Sequence, residues 1–263
     1  MGDKLRWYIA GAIALFSAIS YFGQTVENPV TGEKQHVSMS PQQEVSMGLR
    51  SAPQMAAQFG GLSGNSKVAS AVKQVGAKLV AQSVAAQSPY AFEFHLLADP
   101  RTINAFALPG GQVFITQGLL QLLRTRGELA AVLGHEIGHV LARHSAQHLA
   151  KQALTQGLVG AVAVGSADMN SARIAQQVGG MVNMKYGRDD ELQADALGIR
   201  LASEAGYDPR AMLGVMEVLA KASSGNRQPE MLSSHPNPEN RAARIRQVIA
   251  MNFPAGVPDG LTR

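Results

Sequence analysis

Leu133-Gly134-His135-Glu136-Ile137-Gly138-His139-Val140 decides how the rest of the chain is read. In a helix, His135 and His139 lie one turn apart, so their imidazoles share a face and can hold a single ion. Glu136 projects beside them, where a carboxylate can take a proton from a water on that ion. An amphipathic helix with two ordinary histidines is the plainer alternative. The flanks argue against it, because Ala130, Ala131, Val132, Leu133, Ile137, Val140 and Leu141 surround the motif with apolar side chains, as suits a buried central helix. Thr125-Arg126-Gly127-Glu128 reads as a capping box at its start. The segment is expected to be the active-site helix of a zinc peptidase.

Two histidines do not make a site. In the longer H-E-x-x-H-x-x-G-x-x-H pattern the third ligand would follow at once, but those positions hold Ala142 and Ser145. His144 misses the ligand face by one residue. With His148 it forms either a second metal pair or, more plainly, an exposed pair near a helix end, where positive charge suits the dipole. Tyr186-Gly-Arg-Asp-Asp-Glu191-Leu-Gln-Ala-Asp195 offers a better partner. Glu191 and Asp195 are one helical turn apart and face the same way. Glu191 can bind the ion while Asp195 accepts the free ring N–H of a ligand histidine and fixes its tautomer. Taken alone, the pair would read as two surface carboxylates. Three protein ligands and a water make a catalytic zinc site, one ion per chain.

The remaining composition narrows the field. Lys plus Arg 23 against Asp plus Glu 19 leaves +4, with no long basic run. Arg241, Arg244 and Arg246 read as the solvated face of a helix, so nucleic acid is not an expected partner. Cysteine is absent. Disulfides, thiolate zinc sites, cysteine nucleophiles and a lipidated cysteine are thereby excluded together.

Trp7 to Gly23 runs 17 residues without a charge, behind Lys4 and Arg6. As a helix it measures roughly 25 Å, enough to cross most of a bilayer's hydrocarbon core. Trp7 and Tyr8 at one end and Tyr21 and Phe22 at the other bracket it as at membrane interfaces. An uncleaved anchor over residues 1–23, with its N-terminus in the cytoplasm, is the expectation, and a cleaved signal peptide is the alternative. A polar connector follows over 24–40. Helices are predicted from Pro41 to about Phe59 and from Ser66 to Val84, strands over Phe92–Ala98, Asn104–Leu108 and Gln112–Thr116, with Gly110-Gly111 as the turn between the last two. The apolar run Gly157–Gly165 is either a packed helix or a mobile flap. Helices over Arg188–Glu204, Pro209–Ala222 and Pro238–Met251 close a peptidase domain of residues 41–253, and 254–263 is a flexible tail.

An exposed sheet edge can hold a peptide substrate extended. The strand after Gly111 is assigned that role, with Asn104, Ala105, Gly111 and Val113 as candidate substrate-binding residues. His235 lies in a Pro- and Ser-rich loop from Ser223 to Pro238 that can fold over the ion. Either His235 or Arg241 is a candidate donor to the oxyanion of the tetrahedral intermediate. Arg241 has pairing with a buried carboxylate as its alternative. His235 has a regulatory alternative: its imidazole can occupy the fourth position on zinc as a latch.

H-E-I-G-H followed by E-L-Q-A-D is similar to the gluzincin peptidase family M48, which includes membrane-associated quality-control proteases of the Oma, BepA and HtpX types. Asn28-Pro-Val-Thr-Gly32, Asn104-Ala-Phe-Ala-Leu-Pro-Gly-Gly111 and Ser234-His-Pro236 with Arg241 extend the resemblance over about residues 27–250. It implies zinc, a water-activating Glu136, Glu191 as third ligand and Asp195 behind the ligands. The fold expected is α+β: a mostly helical zincin domain with a small sheet whose edge strand faces the cleft. The function expected is hydrolysis of misfolded or unassembled envelope proteins by a zinc metalloendopeptidase on the periplasmic face of a bacterial inner membrane. A zinc-containing chaperone that captures substrates without cleaving them is the alternative.

Overall fold

The computed structural model describes residues 3–166, 186–224, 229–235 and 240–263. In chain order these form α1 (Asp3–Phe22), β1 (Thr25–Glu27), β2 (Lys34–His36), α2 (Pro41–Gln58), α3 (Ser66–Ala81), β3 (Glu93–Leu97), β4 (Ala105–Leu108), β5 (Gln112–Thr116), α4 (Gln117–Leu120), α5 (Arg126–Leu141) and α6 (His144–Ser166). Then follow α7 (Arg188–Glu204), α8 (Ala211–Ser223), α9 (Glu230–Ser234) and α10 (Arg241–Asn252). The α+β class is as expected. The chain groups into two compact units, one from 1–40 and 144–184, the other from 41–143 and 185–263.

The larger unit is built on a three-stranded sheet in the order β3-β5-β4. β3 pairs parallel with β5, and β4 pairs antiparallel with it, Phe106 opposite Phe114. Every residue of β5 is buried. Its Phe114 ring is sandwiched by Phe106 at 4.9 Å and His95 at 4.7 Å. This order corrects one expectation: the strand after Gly111 is the centre of the sheet, not its edge. Both sides of its backbone are taken by β3 and β4, so Val113 has no ladder groups left for a peptide. The edge is β4. Thr116 N–H donates to Asn104 C=O at 3.0 Å, so Asn104, Phe106 and Leu108 turn their backbone toward β5, and Ala105 and Ala107 turn theirs outward. Gly110 and Gly111, at φ 81° and 109°, make the turn. Gly110 packs directly on the backbone of Glu44 and Val45 in α2, where a β-carbon would collide.

α5 crosses beneath the sheet, with β4 against it and α7 and α8 on its other sides. It is buried from Gly127 to Leu141, as the apolar flanks of its motif require. Thr125 Oγ1 caps it by accepting from Glu128 N–H at 3.1 Å. Only this half of the expected box forms, because the Glu128 carboxylate turns to Arg124 instead of the Thr125 N–H, accepting from the Arg124 backbone and guanidinium. α5 ends at Leu141, and Arg143 takes a left-handed φ of 56°. Its guanidinium pairs with buried Glu44, which also accepts from Tyr90 O–H at 2.9 Å. α2 is thus tied to the end of the central helix. His144, expected to be exposed, is buried.

The connector of residues 24–40 is structured. β1 and β2 pair antiparallel within it, Val26 opposite Gln35. Buried Asn28 makes the turn by accepting from the N–H groups of Val30 and Thr31 at 2.8 and 3.1 Å. The Gly157–Gly165 run continues α6, which packs along α1. In the larger unit the C-terminal tail is tied down, against expectation: Thr262 donates to Gly206 C=O at 3.0 Å and accepts from Asp208 N–H at 2.9 Å. Those backbone bonds, with the Arg263 guanidinium 3.7 Å from Asp208 Oδ2, hold a segment that has no helix or strand pattern of its own.

Candidate metal centre

The site is made by the close crossing of α5 and α7. Gly134 and Gly138 on α5 meet Ala194 and Gly198 on α7. A β-carbon on Gly198 would come within 2.9 Å of His135 N, and one on Gly138 within 2.9 Å of Ala194 O. No larger residue fits at these crossings, so the backbones lie close enough for side chains on both facing surfaces to converge. His135 and His139 extend from one helix, Glu191 and Asp195 from the other, and all four are buried.

The Nε2 atoms of His135 and His139 are 3.0 Å apart. Glu191 places one oxygen 3.4 Å from His139 Nε2 and the other 3.5 Å from His135 Nε2. Asp195 Oδ1 lies 2.9 Å from His135 Nδ1, and Arg241 donates to both Asp195 oxygens at 2.7 Å. Arg241 Nη1 also faces Glu191 Oε2 at 3.2 Å. His235 joins the cluster, its Nδ1 2.9 Å from Glu191 Oε1 and its Nε2 3.6 Å from Glu136 Oε1. Tyr186 lies over His139 with ring centroids 4.0 Å apart.

Four observations fit this cluster to a metal ion. His135, His139, Glu191 and His235 each offer a ligand atom within 4.8 Å of the others. Ligands about 2.0–2.1 Å from a tetrahedral ion are about 3.3 Å apart, near the 3.0, 3.4 and 3.5 Å found among the first three residues. Both oxygens of Glu136 and Oε2 of Glu191 are buried without a hydrogen bond. Glu136, Glu191 and Asp195 are faced by one guanidinium, that of Arg241, among the described residues around them. The excess of negative charge in a dry pocket calls for a cation.

The electrostatics point the same way. Burial opposes charge on His135, but the Asp195 and Glu191 carboxylates outweigh it and lift the imidazole to about 10. Burial also opposes charge on Glu191 and Asp195. The surrounding imidazoles hold Glu191 well below the usual carboxylate range, and Arg241 with His135 does the same for Asp195. The carboxylates thus gather positive charge onto His135, and a cation would displace that proton. Glu136 differs: burial pushes its carboxyl upward.

Residues 66–249 match the model of Peptidase family M48. The chain belongs to peptidase family M48. A mitochondrial metalloendopeptidase OMA1 from Schizosaccharomyces pombe is 28% identical over 248 residues, 93% of this chain and 72% of that one. A putative beta-barrel assembly-enhancing protease from Vibrio cholerae is 35% identical over 188 residues, 67% of this chain and 38% of that one. The Escherichia coli K12 beta-barrel assembly-enhancing protease is 31% identical over 185 residues, 66% of this chain and 37% of its own. The chain therefore spans well under half the length of these two bacterial relatives.

Membership in M48 makes the chain one of a metallopeptidase family, and the histidine and glutamate cluster sits where its two motifs meet. Arg241 is not on a solvated face: it turns inward while Arg244 and Arg246 stay exposed. Its donors face Asp195 and Glu191, which is the carboxylate pairing the sequence left open. Asn104 and Ala105 lie buried at the start of β4, and Asn104 Oδ1 has no hydrogen-bond partner. Pro236, part of the Ser-His-Pro stretch, falls outside the described residues. Sequence reasoning missed Tyr186 and the helix-crossing glycines. The four-residue spacing of Gly134 and Gly138, matched by Ala194 and Gly198, was the available signal.

If Asp195 orients His135, Asp195→Ala is expected to weaken metal affinity or activity by about 10- to 100-fold without removing the site. Competition with a metal-sensitive dye measures the affinity. Unchanged affinity and activity would make Asp195 a partner of Arg241 alone.

Proposed function

We propose that this chain is a membrane-anchored zinc endopeptidase that hydrolyses misfolded or unassembled envelope proteins. One observation carries the reading: Glu136 stands with both oxygens unbonded beside the ligand set of His135, His139 and Glu191. Bound there, zinc supplies Lewis-acid polarisation of a carbonyl and makes a water acidic near neutral pH. Glu136 takes the proton from the attacking water and returns it to the leaving amine. Glu191 and the two histidines would hold the ion, and Asp195, 2.9 Å from His135 Nδ1, would accept its N–H and leave Nε2 as the ligand atom.

β4 supplies the substrate register. The outward N–H and C=O groups of half-buried Ala107 receive an extended peptide as an added strand, with buried Ala105 and Asn104 behind it at the start of β4. β4 lies against α5, so the peptide backbone passes the metal-binding helix.

His235 is assigned the role of a latch. Its Nδ1 is 3.4 Å from His135 Nε2 and its ligand atom lies within 4.8 Å of those of His135, His139 and Glu191, so the imidazole can take the fourth position otherwise left to a water. With the imidazole there, hydrolysis stops; with the loop withdrawn, Glu136 reaches its water. His235→Ala is then expected to raise basal proteolysis or self-cleavage at unchanged zinc content. Reduced basal turnover would assign His235 to the oxyanion instead.

α1 is read as the anchor, with Lys4 and Arg6 in the cytoplasm and the catalytic unit on the periplasmic face of a bacterial inner membrane. A reporter fused after Arg263 is expected to behave as exported while the mature N-terminus still precedes Trp7. A mature chain starting near Gln24 would make residues 1–23 a signal peptide. The enzymatic reading is tested by incubating the purified chain with unfolded casein, with and without a chelator. Fragments that vanish with the chelator and return with zinc are expected, and cleavage indifferent to the chelator would refute it.

A further inference from the structure

Among the described residues α1 is the helix long and apolar enough to cross a membrane, but α6 packs along it. Gly157 faces Ser17 so closely that a β-carbon at 157 would collide with the Ser17 hydroxyl. Beyond that contact, Tyr21 and Gln24 border the same cavity as Ala150 and Ala153. β2, whose His36 ring lies 4.7 Å from that of Tyr21, also packs on α6. The helices therefore run antiparallel, the end of α1 beside the start of α6.

Each helix rises about 1.5 Å per residue, so residues equally far from the Ser17–Gly157 contact lie at about equal height. On that scale Gly23, where the charge-free run of α1 ends, is level with Lys151, the last charged residue of α6. Tyr8 is level with Ser166, the last described residue of α6, and the next charged residue in the sequence is Asp168. The charge-free runs of both helices fill the same slab, roughly 22–25 Å deep. Two helices packed in water need no such match in height, whereas a shared hydrocarbon layer imposes it.

We propose that α6 enters the bilayer beside α1 through residues 152–166, so that an antiparallel helix pair, not a single span, holds this chain in the membrane. The proposal rests on the reading of α1 as a membrane span. Its contact surface suits lipid, where close approach of small residues drives helix pairing. Gly157 against Ser17 is that kind of contact, and Ala10 and Ala161 are buried nearby along the same helices. Two hydroxyls inside the slab need no water: Ser17 donates to Ile13 C=O at 2.8 Å and Thr155 to Lys151 C=O at 2.9 Å. Gln152 and Gln156 make α6 too polar to insert by itself, so α1 is required as its partner. Leu15, Phe16 and Ile19 of α1 and Leu158 of α6 stay exposed and would face acyl chains.

The test uses the full chain in phosphatidylcholine–phosphatidylglycerol vesicles carrying lipids brominated either midway along the acyl chain or near its end. Trp7 is the only tryptophan, so wild type reports α1 alone. Trp7→Phe combined with Leu158→Trp reports α6, at about the height of Leu15, the middle of the α1 run. The α6 indole is expected to lose most of its emission, more to the deep bromines than to the shallower ones, while Trp7 shows the reverse order. Quenched Trp7 with an unquenched indole at 158 would overturn the helix pair and leave the α1 anchor standing. An unquenched Trp7 would overturn both readings. Because the chain has no cysteine, Leu158→Cys gives a second measurement. Protection from a membrane-impermeant maleimide in vesicles, lost on adding detergent, supports the pair, and free labelling in vesicles refutes it.

Discussion

Glu136→Gln is expected to lower casein hydrolysis by about 10²- to 10⁴-fold, the contribution of a positioned general base, while zinc content stays at the wild-type level. The substitution keeps the size of the side chain and removes its basicity. Glu136 is buried with both oxygens unbonded, so no hydrogen bond of the fold is lost with the charge. Among the described residues the His235 ring lies 3.6 Å from it, and His235 is not one of the three proposed ligands. The same variant separates cleavage from capture. A chaperone that binds zinc and holds unfolded chains has no use for the Glu136 carboxylate and would work equally well with glutamine. Fluorescent casein turnover and metal analysis on one preparation decide the matter. Wild-type turnover would remove Glu136 from the reaction.

Glu191→Ala is expected to abolish stoichiometric zinc binding, with affinity falling more than about 100-fold, beyond the cost of losing an outer partner. Glu191 is the hub of the cluster: its oxygens lie between His135, His139 and His235, and Arg241 approaches from behind. Alanine removes one of three ligands and leaves Arg241 with less negative charge to face, so the pocket turns hostile to a cation. His135→Ala should behave alike. His144→Ala and His148→Ala should keep wild-type zinc, since neither histidine belongs to the ligand group. Zinc retained after loss of Glu191 would mean that His235 is the third ligand.

The parts of this molecule legible in the sequence are those that depend on neighbours along the chain. Apolar spacing and capping residues located α2, α3, α5 and α7 closely, and β5 was read to the residue. The shared face of His135 and His139, and that of Glu191 and Asp195, follow from a helical turn. What was not legible depends on pairings between distant segments. Chain order runs β3, β4, β5, but the parallel pairing of β3 with β5 puts the last strand in the middle, which moved the edge facing the site from Val113 to β4, where Ala107 is half-buried. Arg241 sits beside two exposed arginines in sequence, and only the buried Asp195 explains why it turns inward. The tail lacks any pattern of its own and is held by the backbone of Gly206 and Asp208.

The measurement closest to the central claim is a zinc titration of the metal-stripped chain, reading bound zinc and casein cleavage together. Cleavage is expected to rise in proportion to bound zinc and to level off at one ion per chain, with Glu136→Gln binding the same ion and cleaving almost nothing. Cleavage that is already full without zinc, or that fails to appear when the site is filled, would contradict the account.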